Sequence, residues 1–184
     1  IIKQAITVVR NEDSILPILN MRKKTALVIA GKDADLIENR LLDYMGADVF
    51  YFQLGMEPLG VLGKLKNYER VVTVFVAETN RAVVNYGYPD GWQLYTRHMD
   101  TLKEQIGVFL GNPYALADEN VKLSHFDGLL LGYENSRYSQ DISAQVLMGA
   151  YPAGGRLPVS LQKEFKRDLS LNTVGELRLQ FTIP

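Results

Sequence analysis

The stretch VLMGAYPAGGRLPVSL, residues 146–161, decides how this chain folds. Its apolar beginning predicts the end of a helix, which Gly149 and Pro152 close because neither residue favours a helix interior. The glycine pair 154–155 is expected to supply backbone angles that residues with a Cβ avoid. The proline two residues beyond Arg156 favours an extended backbone before it, so Arg156 is held rigidly between a turn and a strand.

The sequence before this stretch alternates short apolar runs with amphipathic segments. The runs lack a clean apolar/polar alternation, which is typical of strands that are buried on both faces. Strand–helix alternation indicates right-handed crossovers and a parallel sheet. We therefore predict an α/β protein, a three-layer α/β/α sandwich with a mostly parallel, flavodoxin-like sheet. The predicted strands are 26–30, 49–52, 71–77, 107–111 and 128–132.

Two helix boundaries are predicted from local signals. Asp35 is expected to cap a helix, with Glu38 completing a capping box and Gly46 closing the helix. The last helix is expected to begin near Ser139, with Asp141 in its first turn.

Composition excludes several classes of function. The chain has 184 residues, a net charge of −1 and no cysteine. It therefore has no disulfide, thiolate metal site or cysteine nucleophile, and its mixed charge gives no reason to expect a nucleic acid partner. Two histidines cannot form a His-rich metal site, and no run reaches the roughly 20 apolar residues of a membrane helix. We expect no cofactor, no metal and no membrane span.

Polar residues follow several of the predicted strands, where parallel sheets bind ligands. Glu78 and Glu134 are the candidates there for acid–base chemistry, and both also suit hydrogen-bonding or ion-pairing roles in loops. No phosphate-binding glycine pattern and no nucleophile elbow is present. The residues alone indicate a flavodoxin-like domain and leave its function open. The loops in question are 31–33, 78–81, 112–114 and 133–137.

Three segments resemble one known family. Residues 145–161, with Pro-Ala-Gly followed by Gly-Arg-Leu-Pro-Val, look like the closing signature of the C-terminal sandwich domain of family 3 glycoside hydrolases. Residues 5–19 resemble the segment by which the chain enters that domain. Residues 111–116, GNPYAL, resemble its Gly-x-Pro-x-x-Leu strand exit. The three segments occur in the family's order and together span nearly the whole chain.

The resemblance implies a retaining glycosidase of two domains, a catalytic TIM-like barrel that carries an aspartate nucleophile and a sandwich that lines the sugar pocket. No barrel is present in this sequence, so the chain alone is expected to be inactive. In the glucosidase-like branch the acid is a glutamate in the loop after the third strand. Here Ala82, Val83 and Val84 stand at the expected positions, which puts a local acid in doubt. The β-N-acetylglucosaminidase-like branch takes its acid from the barrel. The sequences of residues 112–114, Asn-Pro-Tyr, and 133–135, Tyr-Glu-Asn, resemble that branch in the multidomain form found in Bacteroidetes.

The resemblance also divides the chain. Residues 1–22 would lead in from a missing N-terminal barrel, 23–165 would form the sandwich, and 166–184 would lead out toward a possible further domain. Residues 177–184 resemble the bridge that joins such a sandwich to a β-lactamase-like domain. The implied location is extracytoplasmic, periplasmic or secreted, in a bacterium. The implied partners are the barrel of the same protein and a carbohydrate, a β-glucoside or a β-N-acetylglucosaminide.

Seven residues are candidates for these roles. Arg156 either braces the interface with the barrel or forms an ion pair within the domain. Asn11 is a second interdomain candidate. The remaining five are candidates for the rim of the sugar pocket: Glu78, Asn80, Arg81, Asn112 and Tyr114. The alternative is a stand-alone flavodoxin-like module that binds a small polar ligand or a protein.

Overall fold

The computed structural model describes residues 2–53 and 55–181. Within them, six strands form one sheet in the order β1-β6-β5-β4-β2-β3, and β1 alone is antiparallel to its neighbour. The five predicted strands are confirmed, and β1 is a strand that sequence analysis did not predict. The bounds are β1 Thr7–Asn11, β2 Thr25–Ala30, β3 Asp48–Phe52, β4 Arg70–Val76, β5 Glu104–Leu110 and β6 Gly128–Leu131.

Helices cover both faces of the sheet, so the predicted α/β/α sandwich is confirmed. The α-helices are α1 Ile2–Ala5, α2 Asp35–Tyr44, α3 Pro58–Leu65, α4 Trp92–His98 and α5 Arg137–Leu147, and short 3₁₀ helices connect some of the elements. Helices α2 and α5 pack together on one face, and α3 and α4 pack together on the other. Strand β4 shows why its sequence lacks alternation: Val71 and Phe75 enter the α3–α4 core, whereas Val72 and Val74 enter the opposite core. None of the helices in this described part is long and apolar enough to cross a membrane.

The predicted start of α2 is wrong in detail. The helix begins at Asp35 itself, and Ala34 occupies the capping position without a side-chain hydrogen bond. Glu38 does not reach back to the helix start, because its carboxylate accepts the hydroxyl of Tyr51 at 2.9 Å. The helix ends before Met45, whose backbone is extended, so Gly46 does not close it.

Helix α5 begins earlier than predicted. Ser136 is its N-cap, and the Ser136 hydroxyl oxygen accepts the amide N–H of Ser139 at 3.1 Å. Asp141 therefore lies beyond the first turn, where it is buried and pairs with Nε of Arg40 at 2.6 Å. The carboxylate that sequence analysis assigned to the helix dipole instead joins α5 to α2.

The stretch 146–161 folds partly as predicted. Gly149 ends α5 with a left-handed backbone, φ +77°. Neither Gly154 nor Gly155 adopts a positive φ, so the prediction of special angles at that pair is wrong. Gly155 is required by space instead: a Cβ there would lie 2.2 Å from the carbonyl oxygen of Ala5, and its N–H donates to the carbonyl of Ile6 at 3.0 Å. The motif thus fixes the turn against the start of β1.

The chain after the motif returns along the sheet edge. The N–H of Leu171 donates to the carbonyl of Val8 at 2.9 Å, which covers part of the outer edge of β1. Residues 175–181 then lie against α2 and α5. Of the predicted bridge 177–184, the last three residues lie outside the described part, and the division at residues 22 and 165 stays a prediction.

Candidate functional site

A polar cleft lies at the carboxyl ends of the parallel strands. It encloses about 520 Å³ and is bounded by the loops that follow β2, β4, β5 and β6 and by the first turn of α5. A hollow of about 300 Å³ at the start of α2 adjoins it and shares three lining residues, Asp33, Arg137 and Gln140. The cleft lining is Asp33, Ala77, Glu78, Thr79, Asn80, Gly111, Glu134, Asn135, Ser136, Arg137 and Gln140.

Gln140 holds the cleft together from its buried position on α5. Its side-chain Nε2 donates to the carbonyl of Asp33 and to Oδ1 of Asn135, both at 2.7 Å. Its Oε1 accepts the N–H of Ile37 at 3.1 Å, which satisfies one of the free amides at the start of α2. One side chain therefore fixes the loop after β2, the loop after β6 and the beginning of α2.

Glu78 stands at the end of β4 between two hollows. Its carboxylate pairs with the Lys32 ammonium at 3.3 Å, and both side chains are substantially exposed to solvent. The backbone of Gly87 packs over it so closely that a Cβ on Gly87 would lie 2.7 Å from the Glu78 Cβ. On the other side of this contact is a second hollow of about 190 Å³, whose lining includes Glu78, Lys32 and Asp90. Glu78 thus has a partner that the sequence did not indicate, and it borders both spaces.

Glu134 lies on the other side of the cleft. Its Oε1 accepts the hydroxyl of Ser136 at 2.5 Å, and the preceding residue, Tyr133, has a positive φ of 65°. Arg137 lines the cleft as an exposed cation with no ion-pair partner among the described residues. Carboxylate, amide, hydroxyl and guanidinium groups therefore converge on one cleft. Such a set both donates to and accepts from the hydroxyl groups of a polyol. The described residues contain no cluster of three metal-ligating side chains.

The five predicted rim residues do not all meet. Glu78 and Asn80 line the cleft, whereas Arg81, Asn112 and Tyr114 lie outside its lining. Arg81 is exposed, and its carbonyl accepts the N–H of Tyr86 at 3.1 Å. Asn112 caps the 3₁₀ helix Pro113–Ala117, since its Oδ1 accepts the N–H of Tyr114 at 3.0 Å. The assignment of these residues to a sugar pocket stays a prediction.

Sequence analysis did not select several lining residues. Asp33 and residues 135–137 fall within loops that the strand-end rule had already marked, so the signal was present but did not rank these residues above the others in the loops. Gln140 had no such signal, because it lies in a helix and its partners come from distant parts of the chain.

Exposed apolar side chains flank the cleft. Val83 is 83% exposed and Val84 is 50% exposed, both on the 3₁₀ segment Ala82–Gly87. The adjacent 3₁₀ helix presents Tyr114, which is 57% exposed. We call Val83, Val84 and Tyr114 the apolar rim. Residues 82–84, where the family resemblance leads one to expect an acid, are alanine and two valines and carry no carboxylate.

The two interdomain candidates differ in their surroundings. Arg156 is exposed and forms no ion pair with any described residue, so the expected alternative of a salt bridge within the domain is not observed. Asn11 is engaged locally: its Nδ2 donates to the carbonyl of Leu16 at 3.0 Å, and its Oδ1 accepts the Leu16 N–H at 2.8 Å. Asn11 therefore closes the loop that follows β1.

No family model matches the chain, and no curated protein matches it. Several solved structures of glycoside hydrolases match the fold of the chain. A fungal multidomain GH3 β-N-acetylglucosaminidase aligns with a TM-score of 0.69 at 16% identity, over 88% of this chain and 18% of its own. A β-glucosidase from Listeria innocua in complex with isofagomine aligns with a TM-score of 0.64 at 18% identity, over 85% and 25%. A family 3 β-N-acetylglucosaminidase from Paenibacillus sp. aligns with a TM-score of 0.63 at 18% identity, over 88% and 31%.

These alignments confirm, at the level of the fold, the resemblance that the sequence motifs indicated. The chain has the α/β sandwich fold that forms a part of these glycoside hydrolases. It spans between 18% and 31% of the length of the three solved chains.

Proposed function

We propose that this chain is the accessory sandwich domain of a longer family 3 glycoside hydrolase, in which its strand-end cleft forms one wall of the sugar pocket. The full protein would hydrolyse β-glucosides or β-N-acetylglucosaminides, the two activities that the aligned structures carry in their names. The observation that carries this proposal is the polar cleft at the carboxyl ends of the strands, with the apolar rim beside it.

The chemistry of the cleft suits a supporting role. Hydrolysis with retention requires a nucleophile and an acid/base residue on either side of the glycosidic bond. The resemblance assigns the nucleophile to the barrel, and residues 82–84 offer no carboxylate to serve as the acid. The carboxylate of Glu78 is engaged by the Lys32 ammonium of the same domain at 3.3 Å, which suits a residue that shapes the wall of the pocket.

The apolar rim gives a reason for a partner domain. Exposed valine and tyrosine side chains beside a polar cleft are typical of a surface that another protein surface covers. The barrel of the same protein is the occupant that the fold comparison favours. In that arrangement Asn80, Glu78 and Arg137 face the sugar from one side while the barrel carries out the reaction. An extracytoplasmic location, as the family resemblance implies, is part of the same proposal.

The test uses the full-length protein and aryl β-glucoside or β-N-acetylglucosaminide substrates. Val83→Asp and Tyr114→Asp are expected to lower kcat/KM by at least about tenfold, because a buried, unpaired carboxylate would weaken the contact with the barrel. Leu19→Asp is the matched control. Leu19 is 56% exposed and precedes Asn20, whose carbonyl accepts a hydrogen bond from Arg70, the first residue of β4. Leu19 therefore lies near the amino ends of the strands, whereas the cleft lies at their carboxyl ends.

Two results would overturn the proposal. Hydrolysis by the isolated chain at a rate that Glu78→Gln abolishes would place the catalyst in this domain. Equal activity of the Val83, Tyr114 and Leu19 variants would show that the apolar rim contacts no catalytic domain, and would favour a stand-alone module whose cleft binds its own ligand.

A further inference from the structure

We propose that the surface between α2 and α5 is a binding groove for a peptide segment, which the chain's own residues 175–181 occupy in this structure. We call these residues the C-terminal segment and the surface the α2–α5 groove. The inference is independent of the proposed glycosidase role, because the residues of α2 and α5 that contact the segment do not line the cleft.

The groove binds the backbone of the C-terminal segment. The side-chain amide of Gln145 bonds Phe181 in both directions: Oε1 accepts the Phe181 N–H at 2.8 Å, and Nε2 donates to the Phe181 carbonyl at 3.0 Å. The hydroxyl of Tyr44 donates to the carbonyl of Leu179 at 2.6 Å. Hydrogen bonds to the main chain are a general means by which protein sites hold peptide segments.

Three positions of the segment, at a spacing of three residues, fix its register on the domain, and Gln180 adds a hydrogen bond from its Nε2 to the Ala150 carbonyl at 3.1 Å. Gly175 packs so closely on Pro152 that a Cβ would lie 2.4 Å from the Pro152 nitrogen. Arg178 donates from Nε to the carbonyl of Met148 at 2.9 Å, where it satisfies a free carbonyl at the end of α5. Phe181 is the third position. The segment therefore carries the pattern Gly-x-x-Arg-x-x-Phe, and each of the three contacts fixes its register.

Phe181 contacts two side chains of α2. The Arg40 guanidinium lies over its ring, 3.9 Å from the centroid, and the Tyr44 ring meets it edge-on at 5.3 Å. A cation over an aromatic face and an edge-to-face ring pair are both favourable arrangements. Together they form an aromatic and cationic contact surface for the end of the segment.

Asp141, which does not bond the segment itself, preorganises the groove residues that do. Asp141 is buried, and its two oxygens bond Nε of Arg40 at 2.6 Å and Nε2 of Gln145 at 2.7 Å. Arg40 and Gln145, which both contact Phe181, are thus held in place by a carboxylate of the domain itself. A site that is already arranged loses less entropy when its ligand binds.

The segment is bound as a ligand rather than as part of the core. Leu179 is 83% exposed and Leu177 is 49% exposed, so the two leucines contribute little apolar burial. Polar contacts and one aromatic residue supply most of its attachment. A segment attached in this way can leave the groove without unfolding the domain, and a second peptide of the same pattern can take its place.

The test uses the full chain with Phe181→Ala, which weakens the hold on its own segment, and a fluorescein-labelled peptide of residues 175–181. Fluorescence anisotropy is expected to show binding to Phe181→Ala and about tenfold weaker binding to the unaltered chain, whose groove is occupied. Adding Gln145→Leu to Phe181→Ala is expected to weaken binding by about tenfold, because it removes the two hydrogen bonds to the backbone of the peptide's last residue. A peptide with valine in place of Gly175 should not bind.

Absence of binding to a folded Phe181→Ala chain at about 1 mM peptide, an affinity too weak for a built site, would overturn the proposal. So would binding that neither Gln145→Leu nor the valine peptide affects. If Phe181→Ala does not fold, trypsin cleavage after Arg178 in the otherwise unaltered chain decides the matter. Gln145→Leu should accelerate that cleavage by about tenfold relative to cleavage after the exposed Lys163. A ratio of the two cleavage rates that Gln145→Leu leaves unchanged would contradict the proposal.

Discussion

Gln140 on α5 donates its side-chain amide to the carbonyl oxygen of Asp33 at 2.7 Å. Asp33 follows β2 and Gln140 belongs to the helix that follows β6, and these two strands are separated in the sheet by β4 and β5. The hydrogen bond therefore spans the switch in strand order where open parallel sheets bind ligands. It makes the cleft a fixed feature of the domain rather than a gap between independent loops.

Gln140→Leu is expected to lower the free energy of unfolding by about 2–3 kcal/mol, because it removes buried hydrogen bonds and leaves the Ile37 N–H without its partner. Urea denaturation measures the change, and hydrogen exchange should quicken in the loops of Asp33 and Asn135. Gln53→Leu is the matched control, since Gln53 is exposed. A loss no greater than that of the control would show that Gln140 does not support the cleft.

Gly155→Ala should destabilise the domain by about 3 kcal/mol or more, because its Cβ would fall 2.2 Å from the Ala5 carbonyl and 2.4 Å from Oγ1 of Thr7. The neighbouring Gly154→Ala meets no atom within 4 Å and should change stability by no more than about 0.5 kcal/mol. Thermal and urea unfolding of the pair measure both effects. If the two variants were equally stable, the close contact between the motif and β1 would be refuted.

Glu104 gives the stability of the domain a dependence on acid pH. Burial alone would raise its pKa, but hydrogen bonds and charge from Lys23 and Arg70 outweigh burial, so the pKa of Glu104 is lowered from its ordinary 4.5. A group with a lowered folded pKa contributes stability above its unfolded pKa and loses it as the pH falls through the folded value. The stability difference between the unaltered chain and Glu104→Gln should be largest near neutral pH and should shrink below pH 4.5. A difference that stays constant from neutral to acid pH would contradict this reasoning.

Glu78→Gln in the full-length protein is expected to lower kcat by less than about tenfold, since we assign Glu78 a place in the pocket wall and not the role of acid. Steady-state kinetics on an aryl glycoside measure the change, with Glu134→Gln as the matched control across the cleft. A drop of about a thousandfold that azide restores would identify Glu78 as the acid/base residue. The catalytic role would then belong in part to this domain.

The sheet was predictable because strands buried on both faces appear as continuous apolar runs. Strand β1 was not predicted, because its sequence TVVRN ends in polar residues and its family resemblance indicated a connecting segment. Gly155 illustrates a second limit. Sequence analysis recognises that a position requires glycine, but the reason is a close approach of Ala5 from the other end of the chain, and only the tertiary structure shows it.

The site was predictable to the level of loops. The rule that ligands meet the carboxyl ends of parallel strands selected loops 31–33, 78–81 and 133–137, which supply cleft residues, and loop 112–114, which does not. Glu78 and Asn80 do line the cleft. Individual side chains were harder, because Asn112 resembles a site residue in sequence and serves as a helix cap in the structure. Gln140 and the docking of residues 175–181 both depend on pairs of residues that lie far apart in the chain.

The size of the native protein tests the central claim most directly. An antibody raised against this chain would be used on cells of its source, with the 20.7 kDa chain as the marker. We predict a band several-fold larger than the chain, since the chain spans less than a third of each of the three solved glycosidases with which it was compared. A single band at the size of the chain itself would contradict the account and would make the strand-end cleft a binding site in its own right.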